Sequence, residues 1–150
     1  MKKLTKILSV VVIVALLVTL SVSLFGCKKY VQQTETGVVF TVDEDIMPDV
    51  TGKYLIDYLN ALQEKGKLTF SAPKSTYGSF LEEVNGIKAD SSKNEYWFIY
   101  SDDEENTTPT WGEYEYEGKK YYSTNYGLDD QPLKAGATYI LMVSAYTAAA

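Results

Sequence analysis

Apolar positions fall into two kinds of run along this chain. Across residues 7–25 they are almost unbroken, whereas from Gly37 onward they come in short periodic stretches separated by turn residues. Residues 37–43, rich in valine, predict a first strand, and Pro48 marks a turn after it. Leu55, Tyr58, Leu59 and Leu62 recur at helical spacing. They predict one buried face of a helix from about Gly52 to Lys65, capped by Thr51 and stopped at Gly66. Residues 68–71 predict a second strand ended by Pro73, while 75–87 show no clear period and only Asn85-Gly86 as a firm turn. The strongest strand spans 95–101, where alternation places Tyr96, Phe98 and Tyr100 on one face, Trp97 and Ile99 on the other. Residues 113–122 alternate glutamate and tyrosine around Glu117-Gly118-Lys119 and predict a hairpin with opposite charges across it. Residues 138–144 are apolar enough for a central strand. One helix among several strands, without βαβ alternation, predicts an α+β domain.

The long apolar run follows Lys2, Lys3 and Lys6, and a basic segment before an apolar one is the order of an export signal. Leu24-Phe25-Gly26-Cys27 at its end resembles the lipobox of bacterial lipoproteins. That resemblance implies a diacylglyceryl group on the Cys27 thiol and cleavage just before it. An uncleaved membrane-spanning helix is the alternative that the run's length allows. Both readings tether the rest to the extracytoplasmic face of a bacterial cell membrane. The expected division is a signal peptide at 1–26, a tether at 27–36 reaching about 30 Å if extended, and one domain at 37–150.

Composition narrows the function. The 150 residues include 14 Lys and 20 acids, no His and one Cys. Without histidine there is no Ser-His-Asp or Cys-His catalysis and no imidazole metal site. A single cysteine leaves no internal disulfide and no Cys-x-x-Cys motif. No Gly-x-Ser-x-Gly elbow is present, and no Ser–Lys or carboxylate pair stands out, so the chain reads as a non-enzyme. Residues 27–150 hold all 20 acids but only 11 of the Lys, a formal charge of −9. Such a surface repels phosphate backbones, which argues against nucleic acid as a partner.

All 13 Tyr lie beyond the leader. Tyr77, Phe80, Trp97, Trp111 and Tyr126 are the candidates for an aromatic platform under a planar or sugar-like ligand, with core and cross-strand packing as the competing role for most of them. Trp111, placed between Pro109-Thr110 and Gly112, is the least easily explained as core. Asp102, Asp103, Asp129 and Asp130 offer oxygen ligands of the kind Ca²⁺ accepts, which keeps a calcium- or metal-binding surface domain as a distant third reading. Consecutive carboxylates point in different directions and favour a solvated acidic loop instead.

Four motifs follow in order from Thr51. They are the leucine-bearing segment 52–59 after a glycine; Tyr77-Gly78, Phe80 and Val84-Asn85-Gly86; the strand around Trp97; and Leu133-Lys134-Ala135-Gly136 ahead of Thr138-Tyr139-Ile140. Their order resembles the transcobalamin C-terminal-like domains, small domains of bacterial surface lipoproteins often described as a domain of unknown function. The chain departs from the family at Asp102-Asp103-Glu104-Glu105, where Asn-Gly is common, and at Gly136-Ala137, where Gly-Asp is common. The resemblance implies a β-grasp-like mixed sheet packed on one main helix. It also implies capture of a small soluble ligand for uptake through a transporter, with cobalamin or another corrinoid as the ligand class. A cell-surface domain contacting a protein or glycan is the alternative, and no further cofactor is expected.

Overall fold

The computed structural model describes residues 28–146. The expected N-terminal signal helix and the lipidation site Cys27 fall on residues 1–27, outside the described residues. The described chain opens with strands β1 (Val31–Gln33) and β2 (Gly37–Thr41), followed by the ten-residue helix α1 (Leu55–Glu64). Five two-residue strands come next: β3 (Phe70–Ser71), β4 (Lys74–Ser75), β5 (Gly78–Ser79), β6 (Glu83–Val84) and β7 (Ile87–Lys88). A 3-10 turn (Ser91–Lys93) leads into β8 (Glu95–Ser101), β9 (Thr107–Tyr116), β10 (Lys119–Thr124) and β11 (Thr138–Ala145).

The main sheet has six strands in the order β1-β2-β11-β8-β10-β9, and every neighbouring pair in it is antiparallel. The expected α+β, β-grasp-like mixed sheet is therefore corrected: the described chain is mostly β, with one short helix and antiparallel sheets throughout. The central pair shows why. β2 meets β11 with Thr41 opposite Thr138 and Gly37 opposite Met142, so the first long strand and the last run in opposite directions. The apolar 138–145 segment does lie centrally, between β2 and β8.

Alternation along the strands makes two faces of unequal character. One face carries Val38, Phe40, Tyr139 and Leu141 against Leu55, Tyr58, Leu59 and Leu62 of α1, all buried in a single core. The Phe40 ring lies between Tyr58 and Tyr139, with centroids 5.6 and 5.9 Å away. Both tyrosine hydroxyls are satisfied. Tyr58 donates to the Thr41 carbonyl (3.0 Å) and accepts from the Asp43 N–H (2.9 Å), and Tyr139 donates to the Pro132 carbonyl (3.1 Å). The opposite face groups Val39, Tyr100, Tyr121 and Ile140 with Phe98, Tyr114, Tyr116 and Met142, so cross-strand aromatic pairs shield one another.

Three local expectations change. Thr51 is not the helix cap: its N–H bonds Asp49 Oδ1 (2.8 Å), and Gly52 turns the chain at φ +65° before α1 begins. The helix instead starts at Leu55, because Leu55 and Ile56 donate to the carbonyls of Gln131 (2.9 Å) and Leu128 (3.0 Å). Asp57 Oδ2 reaches back to the Tyr54 N–H (2.9 Å). At the other end Gly66 does close the helix at φ +64°, with Lys67 N–H on the Leu62 carbonyl. Residues 28–36 are not a free tether throughout, since β1 pairs with β2 (Val31 opposite Phe40) and Lys28 binds Asp43 and Asp45 at 2.8 and 2.6 Å. The segment without a period, 75–87, forms small ladders around a two-residue turn in which Asn85 and Gly86 both have positive φ.

Leu59 is fully buried at the centre of the helix face. Leu59→Ala should lower the free energy of unfolding by about 2–5 kcal/mol; a loss below about 1 kcal/mol in urea titration would contradict this packing. Burial pushes the phenols of Tyr58 and Tyr139 up to about 12, above the value of about 10 in an unfolded chain. Their stabilising effect is complete below about pH 10 and is lost as pH rises toward 12. The urea midpoint should therefore fall across that range, and a constant midpoint would contradict the burial.

Candidate functional site

Backbone pairing of β8 alternates, and the alternation shows which groups are left over. The Asp102 N–H bonds the Thr138 carbonyl and the Tyr146 N–H bonds the Asn94 carbonyl, at the two ends of the β8–β11 ladder. Even-numbered residues of β8 therefore bond β11, and the odd-numbered ones turn their N–H and C=O to the other side. On that side β10 pairs only with Ser101 and Tyr100, through Tyr122 and Ser123. At the far end the Glu95 N–H is held by the Asp90 carbonyl (3.1 Å). Between these two closures the backbone groups of Trp97 meet no partner among the described residues. Past the end of β10 the sheet therefore has a gap, an open backbone edge along β8.

Two features of the sequence keep the gap open. β10 leaves the sheet after Thr124, and Asn125 then donates to the Asn106 carbonyl (3.0 Å). β9 meanwhile carries extra residues: Glu113 lies opposite Tyr122 but Thr108 lies opposite Ser123, so 109–112 loop outward. Gly112 makes the loop feasible at φ +135°, where a β-carbon would come within 3.4 Å of Ser123 Oγ and 3.8 Å of the Tyr100 ring. Trp111, at the crest, is 64% exposed.

The gap is flanked by two clefts. One, of about 590 Å³, is lined by Trp97, Phe98, Ile99, Trp111, Ser123 and Tyr146. The other, of about 340 Å³, is lined by Tyr77, Phe80, Leu81, Trp97, Ile99 and Leu128. The structure thus brings Tyr77, Phe80 and Trp97 together in one cleft and Trp97 with Trp111 in the other. Tyr126 lines neither, but it is exposed and directly precedes Gly127, which lines the smaller cleft. Trp97 is the hinge between the two roles: its ring packs on the main core while Nε1 donates to the Glu82 carbonyl (3.1 Å). Tyr77, 90% exposed, has no packing role to compete with contact.

The carboxylates are placed differently from a metal site. Asp103 is buried and closes a turn, its oxygens accepting from the Glu105 N–H (3.2 Å), Asn106 Nδ2 (2.8 Å) and Lys134 Nζ (3.3 Å). That contact is also what holds the Lys134 ammonium above its ordinary pKa. Asp102 Oδ1 accepts from the Thr138 N–H (2.7 Å), and its Oδ2 binds Lys119 and raises that ammonium likewise. Asp129 Oδ2 accepts from the Ser79 N–H (2.9 Å), pinning β5 beside the smaller cleft, and Asp130 is exposed next to it. No group of three or more such ligands is gathered among the described residues.

Sequence reasoning missed Tyr96 and Tyr146, both about half exposed and both at the clefts. Tyr96 alternates with Phe98 and Tyr100 and looks like a covered-face residue. Nothing local distinguishes it, because its exposure follows from where β10 ends.

A family model described as a domain of unknown function (DUF4430) matches residues 52–108. The match runs from the turn before α1 to the start of β9, so it includes β8, Tyr77, Phe80 and Trp97 but not Trp111 or Tyr126. No curated protein matches the chain.

The two tryptophans should separate in a stability measurement. Trp111→Ala is expected to change the free energy of unfolding by no more than about 0.5 kcal/mol, as an exposed loop residue does. Trp97→Ala, which removes a ring from the core margin, should cost more than about 1.5 kcal/mol. Equal losses would mean that Trp111 is part of the core.

Proposed function

We propose that this chain is a membrane-tethered, extracytoplasmic binding protein, not an enzyme, and that the gap beside Trp97 is where it captures its ligand. One observation carries the reading. Among the described residues, six of the seven exposed large hydrophobic side chains, namely Tyr77, Phe80, Tyr96, Trp111, Tyr126 and Tyr146, stand on or beside the two clefts that flank the gap. Single exposed aromatics are ordinary on a protein surface, whereas a gathered group marks an interaction site. Tyrosine and tryptophan suit that use, with a large apolar ring and a polar tip.

The lipobox-like Leu24-Phe25-Gly26-Cys27 supports the tether. Two acyl chains would hold the domain at the membrane stably, where one would not. Hand-over of a captured small molecule to a membrane transporter fits that location. The likeness to transcobalamin C-terminal-like domains makes corrinoids the first ligand class to test, at micromolar affinity at best for the described domain by itself. The second reading, contact with a protein or glycan at the cell surface, draws support from the unpaired backbone edge, which a small molecule would leave unused.

Titration of the full chain with cobalamin, followed by tryptophan fluorescence, tests capture. Quenching that saturates, and that Trp111→Ala weakens at least tenfold (about 1.4 kcal/mol), is the expected result; no quenching by cobalamin transfers the site to the second reading. For the anchor, Cys27→Ala should leave the chain uncut and unlipidated in intact-mass measurement. An unmodified Cys27 in membrane-extracted native protein would contradict the tether.

A further inference from the structure

We infer that the gap beside β8 receives one further strand: an extended, positively charged polypeptide segment that hydrogen-bonds to the backbone of Trp97. The inference rests on the gap being the binding site and names the class of partner that fills it. Trp97 presents an N–H and a C=O in the plane of the sheet, in line with the Ser101–Tyr122 and Tyr100–Ser123 pairs that end the β10 ladder. A polypeptide main chain alternates donor and acceptor at the strand repeat, which is the pattern such an edge can pair with. A corrinoid or a sugar has no such row.

The opening is bounded. Glu95 is closed by Asp90 at one end and Ser101 by Tyr122 at the other, leaving about three to four residues of length at the usual strand rise. Side chains of an added strand would point alternately to the two faces, and a cleft waits on each. Leu81 and Leu128, which belong to the helix-side core, line one; Phe98 and Ser123, from the opposite face, line the other. β9, the outer edge of the sheet, is unlike this. It carries Pro109, the outward loop at Gly112, and Glu113 and Glu115, all of which discourage pairing. β8 has none of these guards along its open side.

Charge selects among strands. Glu82 and Glu95 border the gap at one end, where Lys88 is already bound to Glu83 at 3.0 Å, and Asp129 and Asp130 stand beside the smaller cleft at the other. With 20 acids against 11 Lys between residues 28 and 146, the surrounding field is negative as well. A segment with Lys or Arg on both flanks is attracted to it, and an acidic segment is repelled.

The probe is a capped heptapeptide of alternating valine and threonine with a lysine at each end, titrated into the full chain in detergent. Binding should be followed by slowed hydrogen exchange at the Trp97 amide. Replacing both lysines by glutamates should weaken binding at least tenfold at low salt. Two N-methylated versions, blocking alternate sets of amides, should differ by at least tenfold, because only one set faces β8. Equal binding of the two versions, or binding without slowed exchange at Trp97, overturns strand addition while leaving capture at the clefts intact. Cobalamin quenching with no peptide binding has the same meaning. Absence of binding by both peptide and cobalamin overturns the inference together with the reading beneath it.

Discussion

The first turn of a helix has backbone N–H groups without partners inside the helix, and α1 finds partners for two of them 72 and 76 residues along the chain. Leu55 and Ile56 donate to Gln131 and Leu128, so the loop between β10 and β11 must lie across the start of α1. Gln131, fully buried, fixes that loop further: its Nε2 donates to the Asn106 carbonyl and its Oε1 accepts from the Tyr126 N–H. A chain committed to these bonds cannot also continue as a strand beside β8. β10 therefore ends at Thr124, and the backbone edge of β8 beside Trp97 is left open. Helix capping and the opening of the candidate site are one constraint seen from two ends.

That constraint explains why aromatics gather where they do. Side chains that would otherwise be covered by a longer β10 have only the Trp111 loop above them and the Tyr77–Leu81 segment beside them. Along β8 the result is a gradient, from Tyr100 and Ser101, buried and paired on both sides, to Tyr96, paired on one side and exposed. The structural demand is met at one end of the strand and the surface for recognition lies at the other. Trp97 belongs to both, its indole bonded to Glu82 and its backbone free.

What was legible in the sequence follows the range of the forces involved. The buried face of α1 could be read because Leu55, Tyr58, Leu59 and Leu62 are near neighbours on one surface. The turns at Asn85-Gly86 and Glu117-Gly118 could be read because left-handed backbone selects for such residues locally. The exposure of Trp111 was legible from Pro109 and Gly112 around it. The helix start was not, since the partners that cap it are distant, and neither was strand direction, which no single strand encodes. The two-residue strands of 70–88 carry too few residues to show a period. Asp103 read as a solvated acid because its string of acidic neighbours masked the turn it closes with Asn106.

Amide hydrogen exchange along β8 of the unliganded full chain tests the open gap most directly, because it reads each backbone group separately. The account predicts alternation: slow exchange at Phe98 and Tyr100, bonded to β11, slow exchange at Ser101, bonded to β10, and fast exchange at Trp97. An amide of Trp97 as slow as that of Phe98 would show the edge already covered, and would contradict the central claim.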